Sequence, residues 1–236
     1  MQVNILGVNI EYEKYGTGLT PVLLLHGWGG SYQSLSCFGN LLKDNYCVYA
    51  LTFPTQFNNE PLDIPFYVLL TQRFMEYFNL EQSVVICHSF GARVALMLAS
   101  QTNYIQKLIV IAGAGVKPRF NLLTWLKIKH YKFKKKHGLL KKNKSYGSAD
   151  YVKLNNIQQQ TFKNVIGFDV TKHCYYITCP TLLIWGNKDK QTPLYMAKKL
   201  QRIIKNSKLL TIKNCGHFVY LQNFTQCFNA IERFLC

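Results

Sequence analysis

The chain has 236 residues, 48% of them hydrophobic and 14% aromatic, with 28 Lys and Arg against 11 Asp and Glu and a formal net charge of +17. That length and apolar content fit one domain with a substantial core and exclude a disordered chain. No apolar run approaches the roughly 20 residues needed to span a bilayer, and the start lacks the basic-then-apolar layout of a secretory signal, so a cytoplasmic address is expected.

In chain order, MQVNILGVNIEYEKYG (1–16) alternates like a strand, and TPVLLLHG (20–27) is a buried-strand run bounded by proline and glycine. SLSCFGNLLKD (34–44) has helical spacing at Leu35, Phe38, Leu41 and Leu42, and YCVYAL (46–51) is the next strand. PFYVLLTQRFMEYFNL (65–80) has the length and 3.6-residue period of a helix, with Pro65 in its first turn. SVVICH (83–88), FGARVALMLASQ (90–101) and KLIVIAG (107–113) read as strand, helix and strand. The rhythm then breaks over 115–170 and resumes with strand 180–186, helix 194–204, strand 208–212 and a last helix near 222–235.

Strands alternating with helices predict an α/β fold: a mostly parallel central sheet flanked by helices. The interruption predicts an inserted helical cap at 115–170, leaving 1–114 and 171–236 as the core. In such sheets ligands bind beyond the carboxyl ends of the strands, so the residues just after each strand carry the most information. They are His26–Gly30 (HGWGG), His88–Gly91 (HSFG), Asn187–Asp189, and Lys213–His217 (KNCGH). A hydroxyl, a carboxylate and an imidazole thus stand at successive strand ends as Ser89, Asp189 and His217.

Ser89, at the apex of a strand–turn–helix, fits a nucleophile elbow, a tight turn that lifts a serine hydroxyl above the sheet edge. The turn requires small residues two positions before and two after the serine. Gly91 meets this, while Cys87 stands where glycine is usual. Plainer readings stay open for each residue. Ser89 could be an ordinary helix N-cap, Asp189 could be a turn residue before Thr192–Pro193, and Asp169 and Asp150 are rival acids. Cys87 could be proposed as a nucleophile, yet a packed thiol is inert. His26 and His88 suit structural roles beside the elbow, and His130, His137 and His173 have no evident partner.

With HGWGG, CHSFGARVA, WGNKDKQTP and NCGHF in this order, the sequence resembles the α/β-hydrolase superfamily over nearly its whole length. Within it the chain is similar to capped bacterial serine hydrolases of the pimeloyl-ester carboxylesterase type. The resemblance implies an enzyme acting on a small-molecule acyl ester or thioester. Ser89 would be its nucleophile, His217 its base and Asp189 the orienting acid. It further implies an oxyanion hole from the backbone N–H groups of Trp28 and Phe90, with Trp28 and Gly29 against the substrate and neither metal nor organic cofactor. The loop LTFPTQFNNEP (51–61) departs from the family pattern.

The charge is uneven: KIKHYKFKKKHGLLKKNK (127–144) holds nine lysines, and no acidic residue occurs between Gln82 and Ala149. Apart from a solvated cap face, this run could lie on an anionic membrane surface, placing the protein peripherally there. Nucleic-acid binding is not expected, because no recognised module accompanies the basic run. A catalytically idle protein that docks through this segment is the alternative to an enzyme. The eight cysteines are scattered without a CxxC pair and read as reduced. Cys174, Cys179, Cys215 and His217 lack the spacing of a zinc finger.

Overall fold

A computed structural model describes residues 1–119, 126, 129–131, 133, 134, 136, 137 and 149–236. Eight strands form one sheet: β1 (Gln2–Ile5), β2 (Val8–Tyr15), β3 (Thr20–Leu25), β4 (Tyr46–Leu51), β5 (Ser83–His88), β6 (Ile105–Ile111), β7 (Thr181–Gly186) and β8 (Ser207–Ile212). Their order is β1-β2-β4-β3-β5-β6-β7-β8, with β1 and β2 antiparallel and β3 to β8 parallel. The mostly parallel sheet expected from the sequence is therefore present. The single strand expected over 1–16 is instead a hairpin. It turns at Leu6 and Gly7, whose φ values of 54° and 80° suit a tight turn between twisted strands.

Alternation along each strand feeds two cores, one per face. Leu23, Leu25, Val85, Val110 and Leu183 pack against α2 (Ile64–Tyr77), α3 (Phe90–Gln101) and α6 (Leu194–Ile203). Val22, Leu24, Ile86, Ile109 and Ile184 pack on the opposite face, beneath α1 (Ser36–Leu42) and α8 (Phe224–Leu235). Helix α2 starts where expected, its first turn capped by the Asp63 carboxylate, which accepts from Phe66 N–H at 2.9 Å. The helix expected over 34–44 has a 3₁₀ start at Tyr32–Leu35. The last helix, expected near 222–235, is α8, preceded by a separate single turn, α7 (Val219–Gln222).

Between β6 and β7 the described residues form no strand. They include α4 (Ala149–Val152) and α5 (Asn156–Gly167). The two ends of this segment meet, with Val170 N–H donating to Gly115 O at 2.9 Å. A capping box of Asn155 and Gln158 starts α5. Its other end receives the buried Arg93 guanidinium from α3, which donates to Val165 O at 2.7 Å and also to Phe168 O. A cation at the carbonyl end of a helix opposes its dipole favourably. Most of the lysine-rich run 127–144, and the side chain of Asp150, lie outside the described residues.

The parallel strands set the position of any site. From β3 the chain goes first to β4 on one side and then to β5 on the other, opening a crevice at their carboxyl ends. The loops after β3 and β5 flank that crevice.

Candidate active site

The turn after β5 is held in a conformation that few side chains adopt. Ser89 has φ 48° and ψ −111°, a backbone state that costs of order 1–3 kcal/mol outside glycine and survives only when its surroundings fix it. Ser89 N–H donates to Ile111 O at 3.1 Å, and Ser89 O accepts from Ala92 and Ala114 N–H at 3.1 and 2.9 Å. Gly91 lets α3 press onto the end of β3, its N–H donating to His26 O at 3.1 Å. A Cβ at Gly91 would sit 2.8 Å from His26 O and closer still to Leu25 O. Gly91→Ala should therefore cost about 3 kcal/mol and lower the urea midpoint. An unchanged midpoint would show that the turn can relax.

Cys87 is accommodated because its side chain is turned into the core. The thiol is fully buried and donates to Ile109 O at 3.3 Å, and burial pushes its pKa far up. It is an inert packing group.

Ser89, Asp189 and His217 come together. Ser89 Oγ lies 2.9 Å from His217 Nε2, and His217 Nδ1 lies 2.9 Å from Asp189 Oδ2. Gly186 permits the loops after β7 and β8 to approach, since a Cβ there would strike the backbone of Cys215 and Gly216. Lys188 N–H then bridges the loops by donating to Cys215 O at 2.8 Å. Asp189 Oδ1 accepts from the N–H groups of Gln191 and Thr192 at 2.8 and 2.9 Å, and Oδ2 accepts from the Thr192 hydroxyl at 2.7 Å. Burial raises the Asp189 pKa. Hydrogen bonds from His217 and from the Thr192 backbone and hydroxyl more than offset it, so the carboxyl stays below its ordinary value.

Two further histidines brace the crevice. His26 Nδ1–H donates to Gly27 O at 2.6 Å and Nε2 accepts from Phe53 N–H at 2.9 Å, which fixes a neutral tautomer. His88 Nε2–H donates to His217 O at 3.2 Å, and its ring lies 4.8 Å from that of His217. Burial lowers both pKa values to about 4. Asp169 lies away from the imidazole, accepting from Thr171 N–H at 2.9 Å and from its hydroxyl. His173 stacks near Phe168, and His137 lies against Phe133.

Beside Ser89, the N–H groups of Trp28 and Phe90 have no hydrogen-bond partner among the described residues. Gly29, at φ 72°, gives the loop its turn. The adjoining narrow cleft is walled by Trp28, Phe53, Tyr67 and Phe90. These rings pack edge to face, with Tyr67 to Phe90 at 5.0 Å and Trp28 to Phe90 at 5.6 Å. Phe162 of α5 adds a fifth ring, 5.3 Å from Trp28. The atypical loop 51–61 supplies Phe53, Pro54 and Thr55 to this cleft and is tied to α5. There Gln158 donates to Thr55 Oγ1 at 3.0 Å, and Leu62 N–H donates to Thr161 Oγ1 at 2.9 Å.

Thr192, Arg93 and Phe162 escaped the sequence reading. Only Thr192 left a signal, in the Asp-x-x-Thr spacing that lets a hydroxyl return to a carboxylate three residues earlier. All eight cysteines are free thiols. No group of three or more His, Cys, Asp or Glu among the described residues is placed to hold a metal. No helix of the described residues is long and apolar enough to cross a membrane.

Known proteins resemble the chain along most of its length. It is 24% identical to the uncharacterized hydrolase YugF of Bacillus subtilis (strain 168), covering 90% of this chain and 89% of that protein. It is 26% identical to a proline iminopeptidase of Saccharolobus solfataricus, covering 98% and 90%. Among solved structures, a bacterial membrane phospholipase A superposes with a TM-score of 0.81 at 19% identity, over 100% of this chain and 84% of that one. The meta-cleavage product hydrolase CumD of Pseudomonas fluorescens IP01 gives 0.77 at 16% identity, over 100% and 97%; at such identities these likenesses speak for the fold. A family model described as the alpha/beta hydrolase family matches residues 22–230. That match runs from the first parallel strand through the serine turn, the acid and the imidazole, and the chain belongs to the alpha/beta hydrolase family.

Proposed function

We propose that the protein is a serine hydrolase that cleaves a carboxylic ester or thioester through an acyl-enzyme on Ser89. One observation carries this reading: the unbroken chain of hydrogen bonds from the Ser89 hydroxyl through His217 to the buried Asp189 carboxylate, at 2.9 Å on each side of the imidazole.

His217 Nε2 takes the Ser89 proton as Oγ bonds to the substrate carbonyl carbon, and the carbonyl π pair moves to oxygen. The oxyanion falls between the free N–H groups of Trp28 and Phe90. Loss of one such donor costs about 2.7–4 kcal/mol of barrier. The oxyanion collapses and the bond to the leaving alkoxide or thiolate breaks, with His217 returning the proton to that group. Water, deprotonated by His217, then attacks the acyl carbon, and Ser89 leaves with its proton restored. Asp189 keeps Nδ1–H pointed away from the serine and stabilises the imidazolium at each proton transfer. Trp28 and Gly29 border the reacting carbonyl, and the aromatic cleft beside them takes an apolar acyl group of modest size.

A fluorophosphonate probe should label wild-type protein at Ser89 and leave Ser89→Ala unlabelled. Uncharged esters and thioesters with short acyl chains should turn over faster than their long-chain counterparts. Wild-type protein that takes up no label and hydrolyses none of these substrates would leave the idle docking alternative in its place. Preference for long chains would overturn the assignment of the acyl group to the aromatic cleft.

A further inference from the structure

We propose that Thr192 is a positioning residue whose hydroxyl locks the Asp189 carboxylate and, through it, the His217 imidazole. This inference rests on the serine-hydrolase reading. Thr192 is buried at the start of the turn into α6, and its hydroxyl oxygen lies 2.7 Å from Asp189 Oδ2, 3.0 Å from Ala112 O and 3.3 Å from His217 Nδ1. A hydroxyl has one proton, and the shorter distance gives it to the carboxylate. The oxygen's lone pairs then face Nδ1–H, which Asp189 and Thr192 share.

Asp189 thereby accepts four hydrogen bonds, two on each oxygen, from Gln191 N–H, Thr192 N–H, the Thr192 hydroxyl and His217 Nδ1–H. A carboxylate whose lone pairs are all engaged cannot rotate without breaking a charge-assisted bond. Loss of the hydroxyl has two separable effects. The carboxylate gains freedom to swing, so the imidazole is aligned with Ser89 for less of the time. The remaining negative charge, less well solvated, also holds the imidazolium more strongly.

Few charged or titratable groups bear on this pair. His88 at the end of β5 faces His217 at 4.8 Å between rings and is held neutral by burial. His26 at the end of β3 lies behind His88 and is likewise neutral. Lys188 and Lys190 flank Asp189 but are exposed to solvent, and Tyr220 packs on His88 at 5.1 Å.

The test compares Thr192→Val, which keeps the shape and removes the hydroxyl, with Thr192→Ser, which keeps the hydroxyl. Both are assayed beside wild type and Ser89→Ala on a p-nitrophenyl ester across pH. Thr192→Val should lower kcat about 10-fold, the size of one lost hydrogen bond to a charged group. Its KM should stay within a factor of about two, and the acid limb of kcat/KM should move to higher pH. Thr192→Ser should restore both kcat and the limb. If Thr192→Val lowers only the melting temperature and leaves kcat and the acid limb in place, the role is structural and the proposal fails. A Thr192→Ser variant as impaired as Thr192→Val also overturns it. Wild-type activity equal to that of Ser89→Ala would instead overturn the hydrolase reading beneath it.

Discussion

Asp189→Asn should lower kcat about 10⁴-fold, with KM changed little and the fold intact by circular dichroism. The reason lies in the polarity of its partners, because all four groups that touch this side chain are donors. A carboxamide has only one acceptor oxygen. If that oxygen serves the Gln191 and Thr192 N–H groups, the NH₂ group faces His217 Nδ1, which must then accept. The ring proton is driven to Nε2, the atom that takes the proton of Ser89 in the proposed mechanism. The variant therefore keeps its shape and holds the wrong tautomer. Ser89→Ala removes the attacking oxygen outright and should cost about 10⁶-fold. Steady-state kinetics on a p-nitrophenyl ester decide both, and an Asp189→Asn enzyme within tenfold of wild type would remove Asp189 from the relay.

Mild acid should destabilise the protein well above the pH at which carboxylates titrate. His26 and His88 are buried as neutral rings, their pKa lowered from 6.5 to about 4 chiefly by desolvation. In the unfolded chain they take up protons near pH 6.5; in the fold they do so only near pH 4. Stability from the neutral rings is complete above about 6.5, falls as pH drops toward 4, and levels off below that. At pH 5 each ring gives up about 2 kcal/mol, a large share of the 5–15 kcal/mol typical of a domain. For His26 the geometry gives an independent reason: a second ring proton would point at Phe53 N–H, already a donor. Asp169 and Asp189, held below the ordinary carboxyl value, support the fold above about pH 4 and lose that contribution in a separate, lower window. Urea midpoints at pH 7.5 and 5.0 test this, and a His26→Gln variant should show a shallower drop. Equal midpoints in the wild type would mean that water reaches these rings.

The strands and the three side chains that meet at Ser89, His217 and Asp189 were legible because each sat in a pattern with one physical cause. Buried parallel strands read as continuous apolar runs, so the residues after Leu25, Cys87, Gly186 and Ile212 could be found by counting. The hairpin at Leu6–Gly7 left a trace that the single-strand reading passed over: the apolar alternation shifts phase there, from Val3 and Ile5 to Val8 and Ile10. The single turn α7 was missed because four residues are too few to show a helical period. Arg93 and Phe162 could not be found from local pattern. Arg93 looks like any helix cation until its carbonyl partners, 72 and 75 residues away, are known. The ring contact from Phe162 to Trp28 likewise joins residues from opposite halves of the chain.

Helix α5 is fastened unequally at its two ends. Its N-terminal end rests on bonds near solvent, Asn155 to Gln56 at 2.9 Å and Gln158 to Thr55 at 3.0 Å, each worth about 0.5–1.5 kcal/mol against water. Its C-terminal end is pinned by a buried guanidinium that would lose both carbonyl partners on separation. The middle of the helix is held as well, because the buried Thr161 hydroxyl accepts from Leu62 N–H at 2.9 Å beside the Phe162 ring that covers Trp28. Fraying of the first turn would therefore break only bonds near solvent, whereas lifting Phe162 from Trp28 would also expose Thr161 and the Arg93 guanidinium, so the cover over this side of the cleft is the costlier part to displace.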